Sequence, residues 1–214
     1  MKSQAIKQPC IVFDFGGVLF DWNPHYLYDR FFDGDADAVD RFLKEIGFNQ
    51  WNVQMDMGYP FVDAVADLSQ KFPQYEHLIR IYNEQWEETL GKPIQKTVRL
   101  LKELKQAGYP LYGLSNWSQE KFEQIRPRFE FLNCFEDILL SGVVKLAKPD
   151  PKIFLLFLQQ VGRKADECLF IDDSLTNITA ASQLGFKTIH YKSSEQLQQD
   201  LTQQGLLLSD CAEE

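Results

Sequence analysis

Three short apolar runs in this chain each stop at a polar residue, and few folds accommodate that pattern. Residues 11–13 run into Asp14, residues 109–114 into Ser115-Asn116, and residues 168–171 into Asp172-Asp173. Runs so short and so apolar are those of strands buried on both faces. Helical spacings separate them. Val98, Leu101 and Leu104 share one face of a predicted helix over 96–107, with Gly108 as its stop. Ile153, Phe154, Phe157 and Val161 share a face of another, which Lys148-Pro149-Asp150-Pro151 opens. Further helices are predicted over 119–125, 175–184 and 194–202, and further strands over 138–140 and 187–190. Alternation of this kind predicts an α/β fold, a parallel sheet with helices on both faces.

In a parallel sheet the carboxyl ends of the strands share one edge, and open α/β sheets bind ligands there. That edge would collect Asp14, Ser115, Asn116, Asp172 and Asp173, with Lys148 opening the helix before the last of these strands. Gly16-Gly17, just after Asp14, lets the backbone turn tightly beside a ligand. Taken singly, each piece has an ordinary use: an Asp can cap a helix, Ser-Asn can make a turn, a lysine can sit in water. Taken together they suit phosphoryl transfer assisted by Mg²⁺. A small hard cation is held by one or two carboxylates plus substrate phosphate. The pair Asp172-Asp173 fits such a locus, because adjacent anions need a counter-charge. The carboxylate of Asp14 is a competent nucleophile toward phosphorus. Ser115 and Lys148 can hold the phosphoryl oxygens.

A different pattern fills the gap between the first run and the second. From Pro24 to about Leu90 the chain is rich in aromatics and reads as helices over 37–46, 61–72 and 78–86. Gly91-Lys92-Pro93 reads as the linker back. The chain of 214 residues therefore divides into a sheet domain, 1–21 and 94–214, and an inserted helical bundle, 22–93. A net charge of −9 argues against holding nucleic acid or an anionic membrane through overall charge. No apolar run reaches the ~18 residues of a membrane span. The opening MKSQAIKQPC has no signal-type apolar segment. Cys10, Cys134, Cys168 and Cys211 have neither CxxC nor metal-ligand spacing, and read as reduced thiols of a cytoplasmic protein. His25, His77 and His190 match no catalytic spacing, and the tail from 206 carries no signal.

The motifs DFGGV at Asp14, LSN at Ser115, KPDPKIF at Lys148 and FIDDSLTN from Asp172 to Asn177 occur in an order that resembles the haloacid dehalogenase-like (HAD) hydrolase superfamily. The resemblance covers nearly the whole chain, and the helical block falls where that family carries a cap. It implies a Rossmann-like core, a helical cap of the subfamily IA type, and an aspartyl-phosphate mechanism. Carried over, Asp14 is the nucleophile and a Mg²⁺ ligand. The main-chain carbonyl of Gly16 and the carboxylate of Asp172 are further ligands, and Asp173 orders metal-bound water. Ser115 and the Asn116 backbone hold the phosphoryl group, and Lys148 pairs with Asp14 and the phosphate.

One position departs from the pattern. Most phosphatases of this family carry a second aspartate two residues after the nucleophile, as general acid and base, and here Gly16 stands there. Such help is worth ~10²–10⁴ in rate. A subgroup with the same FDxG pattern, which includes bacterial glucose-1-phosphate phosphatases, resembles this chain more closely. The expected activity is a Mg²⁺-dependent phosphatase acting on a small phosphorylated metabolite such as a sugar phosphate, as monomer or homodimer. A metal-independent 2-haloacid dehalogenase also lacks the second aspartate, but carries no acidic pair like Asp172-Asp173. A phospho-ligand binder that lost its proton donor is the third reading. Within the helical block, Trp51, Asn52, Gln54 and Asp56 precede Gly58 in a less regular stretch. Trp51, Asn52 and Asp56 are candidates for stacking on and hydrogen bonding to a sugar. Trp117 would border the site, and Lys145 stands just before the third motif.

Overall fold

The computed structural model describes residues 8–207. The readings of the first seven residues, of the tail from 208 and of Cys211 lie outside the described residues. Five parallel strands form one sheet: β1 (Cys10–Phe13), β4 (Leu111–Ser115), β5 (Asp137–Leu140), β6 (Cys168–Asp172) and β7 (Lys187–His190), in the order β5-β4-β1-β6-β7. The first strand is central, paired on one side with β4 (Phe13 opposite Gly113) and on the other with β6 (Phe13 opposite Ile171). All of its residues are buried.

Alternation along β1 sends Ile11 and Phe13 to one face of the sheet, Cys10 and Val12 to the other. The Cys10–Val12 face is covered by α9 (Pro151–Val161) through Ile153, Phe154 and Phe157, and by α10 (Leu175–Gln183) through Ile178 and Ala181. The opposite face is covered by α6 (Gln95–Gln106) through Val98, Leu101 and Leu104, and by α11 (Ser194–Gln203) through Leu197 and Leu201. Two short helices, α7 (Gln119–Ile125) and α8 (Ser141–Val144), follow β4 and β5. This is the parallel sheet between two helical layers that the alternation predicts.

The helices between residues 22 and 90 are α1 (His25–Tyr28), α2 (Ala36–Glu45), α3 (Phe48–Asp56), α4 (Phe61–Lys71) and α5 (Glu76–Glu84). Their interior is aromatic: Tyr28 meets Phe42 at 5.1 Å between ring centroids, and Phe48 meets Tyr82 at the same distance. Their apolar side chains join the Ile11–Phe13 face of the sheet in a single cluster, through Phe20, Trp86 and Trp117. Two sequence expectations change here. Gly91-Lys92-Pro93 is not a linker but part of β3 (Leu90–Pro93), which pairs antiparallel with β2 (Phe20–Trp22). A ribbon of three and four residues is too short to show a period of two. The stretch around Trp51 is not irregular but helical, as α3. Phe48, Trp51 and Met55 are its buried residues, at spacings i, i+3 and i+7. Among the described residues no helix is long and apolar enough to cross a membrane.

Candidate active site

Each of the three polar strand ends arrives at the same edge, as parallel pairing requires. Asp14 follows β1, Ser115 ends β4 and Asp172 ends β6. The Asp14 amide donates to the Ile171 carbonyl at 2.9 Å, continuing the ladder and fixing where its side chain emerges. Three donors then converge on Asp14 Oδ1: the Phe15 amide at 2.7 Å, Ser115 Oγ at 2.7 Å and Lys148 Nζ at 2.9 Å. Among the described residues none bonds Oδ2, which is therefore the oxygen free to react.

Lys148 also reaches Asp172 Oδ2 at 2.6 Å, so one buried ammonium bridges two carboxylates. Asp172 is fully enclosed; the Ser174 amide donates to Oδ1 at 2.8 Å and Asn177 Nδ2 to both oxygens at 3.0 and 3.1 Å. Asn177 thus holds Asp172 from the first turn of α10. The side chain of Asn116 has a use that its place in the LSN motif does not reveal. It accepts from the Lys148 amide at 2.8 Å and donates to the Lys148 carbonyl at 2.9 Å, clamping the lysine's main chain.

Burial raises the Asp14 carboxyl to about 7, Lys148 opposes that rise, and Asp172 reinforces it. Burial alone would lower Lys148, but the two carboxylates outweigh it and hold the ammonium above its ordinary value. Lys148 is therefore a fixed positive charge, and it is what allows Asp14 to ionise in a buried place.

Asp14, Asp172 and Asp173 each offer an oxygen within 4.8 Å of the others. Gly17, in a left-handed conformation (φ 71°), packs so close to Asp173 that a Cβ would lie 2.2 Å from its carboxylate. Beside this cluster is a cavity of about 270 Å³, lined by Gly16, Gly17, Asn116 and Asp173 from the sheet side and by Asn52 and Asp56 from α3. Three tryptophans, Trp22, Trp86 and Trp117, complete the wall.

The sequence-predicted residues Asp14, Gly16, Ser115, Asn116, Lys148, Asp172 and Asp173 thus come together. Asn52 and Asp56 join them from the helical block. Trp51 does not: its ring is 5% exposed, packs on Phe48 and Tyr82, and donates from Nε1 to the Ala64 carbonyl at 2.9 Å. The stacking role proposed for it has no surface to act through. Sequence reasoning gave no such role to Trp22 or Trp86, which lie inside the helical block of 22–93 with nothing in their spacing to set them apart from its other aromatics. Lys145 donates to the carbonyls of Gly58 (3.0 Å) and Gly142 (2.8 Å), tying the turn after α3 to α8.

A family model described as haloacid dehalogenase-like hydrolase matches residues 9–185. The chain is 27% identical over 198 residues to a sesquiterpene phosphatase of Aspergillus oryzae, covering 86% of this chain and 89% of that one. It is 25% identical to an (S)-2-haloacid dehalogenase of Pseudomonas fluorescens, covering 82% and 80%. Its fold matches that of a HAD family enzyme of Bacteroides thetaiotaomicron, solved in complex with magnesium and inorganic phosphate. The TM-score there is 0.67 at 24% identity, over 87% of this chain and 96% of the other. The sheet order, the acid-bearing edge and the match over residues 9–185 lead to one conclusion: this chain is a hydrolase of the haloacid dehalogenase-like family.

Proposed function

We propose that the chain is a Mg²⁺-dependent phosphatase that acts on a small phosphorylated metabolite through a phosphoryl group carried on Asp14. The observation behind this reading is the arrangement of charge. Three carboxylates lie within 4.8 Å of one another, and a single buried ammonium pairs with only two of them. A site with this excess of hard oxygen donors suits a divalent cation. Asp14, Asp172 and the Gly16 carbonyl would hold it, with Asp173 acting through water. When bound it offsets the negative charge that develops on the phosphoryl oxygens.

In this reading the free Oδ2 of Asp14 attacks phosphorus while Lys148 and the Phe15 amide hold Oδ1 in place. When substrate binds, Ser115 Oγ turns its one proton from Asp14 to a phosphoryl oxygen, and the Asn116 backbone amide and Lys148 Nζ bind the others, where fixed donors are worth most because water is excluded. Residues 22–93 act as a cap over the core of 1–21 and 94–214. The cavity is small, and its tryptophan walls with the amide of Asn52 suit a sugar phosphate. The acidic pair Asp172-Asp173 counts against a metal-independent 2-haloacid dehalogenase, which would have no metal cation to offset it.

The test is phosphate release from a panel of sugar phosphates, nucleotides and small phosphorylated acids. Release is expected with Mg²⁺, and is expected to vanish with chelator or in Asp14→Asn, by on the order of 10⁴-fold or more for loss of a nucleophile. Chloride release from 2-haloacids in chelator, with no phosphate release from any compound, would sink the reading.

A further inference from the structure

The place of the missing acid is empty space. A Cβ built on Gly16 meets nothing within 4 Å, so no neighbour has grown into the room that a side chain would take. Gly16 nevertheless lines the same cavity as Asp56, which arrives from the end of α3. From this shared cavity and the hydrogen bonds that orient Asp56, we propose that Asp56 is the proton donor to the leaving group and the base that activates water, replacing the carboxyl absent at Gly16. The proposal rests on the phosphatase reading above.

Three observations support it. Asp56 is held at a fixed place: its carbonyl accepts from Ser141 Oγ, which in turn accepts from the Trp117 amide at 2.9 Å, one residue beyond Asn116. The helical block therefore touches the sheet edge at the residue in question. Its carboxyl is also oriented. Tyr82 donates to Asn52 Oδ1 at 2.6 Å, which fixes the amide so that Asn52 Nδ2 donates to Asp56 Oδ2 at 2.9 Å. Among the described residues Oδ1 has no hydrogen-bond partner, which leaves it to carry a proton in the cavity that Asp56 lines. Burial, the larger cause, and the charge of Asp14 raise Asp56 to about 8, in the direction a proton donor needs. Its partner is an amide; Asp14 instead has an ammonium.

The geometry of displacement points the same way. In-line attack by Asp14 puts the leaving oxygen on the side of phosphorus away from the sheet, toward the helical block. In the first step a bond forms between Asp14 Oδ2 and phosphorus. The bond from phosphorus to the leaving oxygen breaks, that oxygen keeps the electron pair, and it takes the proton of Asp56. In the second, the Asp56 carboxylate takes a proton from water as the water oxygen bonds to phosphorus. The bond to Asp14 breaks, and phosphate, ionised Asp14 and protonated Asp56 result.

The experiment compares Asp56→Asn with wild type in Mg²⁺ on 4-nitrophenyl phosphate, whose leaving group needs no proton, and on alkyl and sugar phosphates, whose leaving groups do. The readout kcat/KM covers the steps through departure of the alcohol. The variant is expected to lose about 10²-fold or more on the alkyl substrates and only a few-fold on the aryl one, in keeping with the worth of general acid catalysis. On the aryl substrate it is also expected to show a burst of nitrophenol equal to the enzyme, with phosphorylated Asp14 accumulating by mass. Equal losses on both classes without a burst, or no loss on either, would overturn the assignment while leaving the phosphatase reading intact. Should the variant not fold, wild type decides. A kcat/KM that changes little between aryl and alkyl substrates supports a donor, and a steep fall toward alkyl substrates overturns it. No phosphate release by wild type from either class removes the phosphatase reading, and this assignment with it.

Discussion

Asp14 and Asp56 are two carboxyls, one from the sheet and one from the helical block, close enough that the charge of the first raises the second. Both are lifted by burial, to about 7 and about 8. Their company differs. Asp14 receives an ammonium, a hydroxyl and a backbone amide on one oxygen. Asp56 receives one side-chain amide. Under the proposed mechanism that contrast assigns opposite tasks to one functional group: a positive partner stabilises the anion that would attack, and a neutral partner leaves the acid that would donate.

The largest way to break that contrast is to remove the ammonium. Lys148→Met leaves Asp14 and Asp172 facing each other without counter-charge. In chelator it is expected to lose about 3–5 kcal/mol in urea unfolding, as when one partner of a buried ion pair is deleted. Phosphate release should fall by about 10²–10³-fold, the loss typical of a donor to developing charge. A Lys148→Met protein as stable as wild type would mean that Asp14 is already neutral and needs no partner.

The helix that carries Asp56 gives the next comparison. Trp51→Ala removes a buried anchor of α3 and is expected to cost about 3–5 kcal/mol of stability. Trp22→Ala, on the cavity wall and only partly buried where its ring stacks on Phe48, should cost less stability than Trp51→Ala and raise KM for phosphorylated substrates. The reverse pattern would return Trp51 to the binding surface.

The smallest effect is in the pH dependence of stability without metal. A carboxyl whose value is raised on folding binds its proton more tightly in the native state than in the unfolded one. The contribution of Asp56 to stability is therefore fully present below the ordinary carboxylate range and is lost as pH rises through about 8. Asp56→Asn, followed by urea unfolding in chelator, should make that decline shallower. Asp14, raised to about 7, keeps the remainder. An unchanged slope would place the Asp56 carboxyl in solvent.

What could be read from the sequence was what local order records. Apolar runs ending in Asp14, Ser115 and Asp172 mark strands and the edge where they meet, because chain direction alone sets which end of a parallel strand faces the site. The same logic does not reach the ribbon of β2 and β3, where pairing between residues 20 and 93 joins segments distant in sequence. It also ranked Trp51 above Trp22 and Trp86 as a wall of the cavity. The i, i+3, i+7 spacing of Phe48, Trp51 and Met55 was there to be read, but amides crowded around it. The clamp of Asn116 on the Lys148 main chain depends on two loops arriving side by side, and no spacing in one chain encodes that.

The apolar cluster shared by the sheet and the helical block bears on modularity. Phe20 meets Trp117 at 5.5 Å, Trp117 meets Trp86 at 5.8 Å, and Phe48, Trp51 and Tyr82 continue the same cluster. An insert with a private core could be excised, transplanted or exchanged between relatives as a cassette. Here the seam is itself core, so either half taken alone would expose a sheet of aromatic surface. Recombination that respects the boundary in sequence must also carry the aromatic residues on both sides of it.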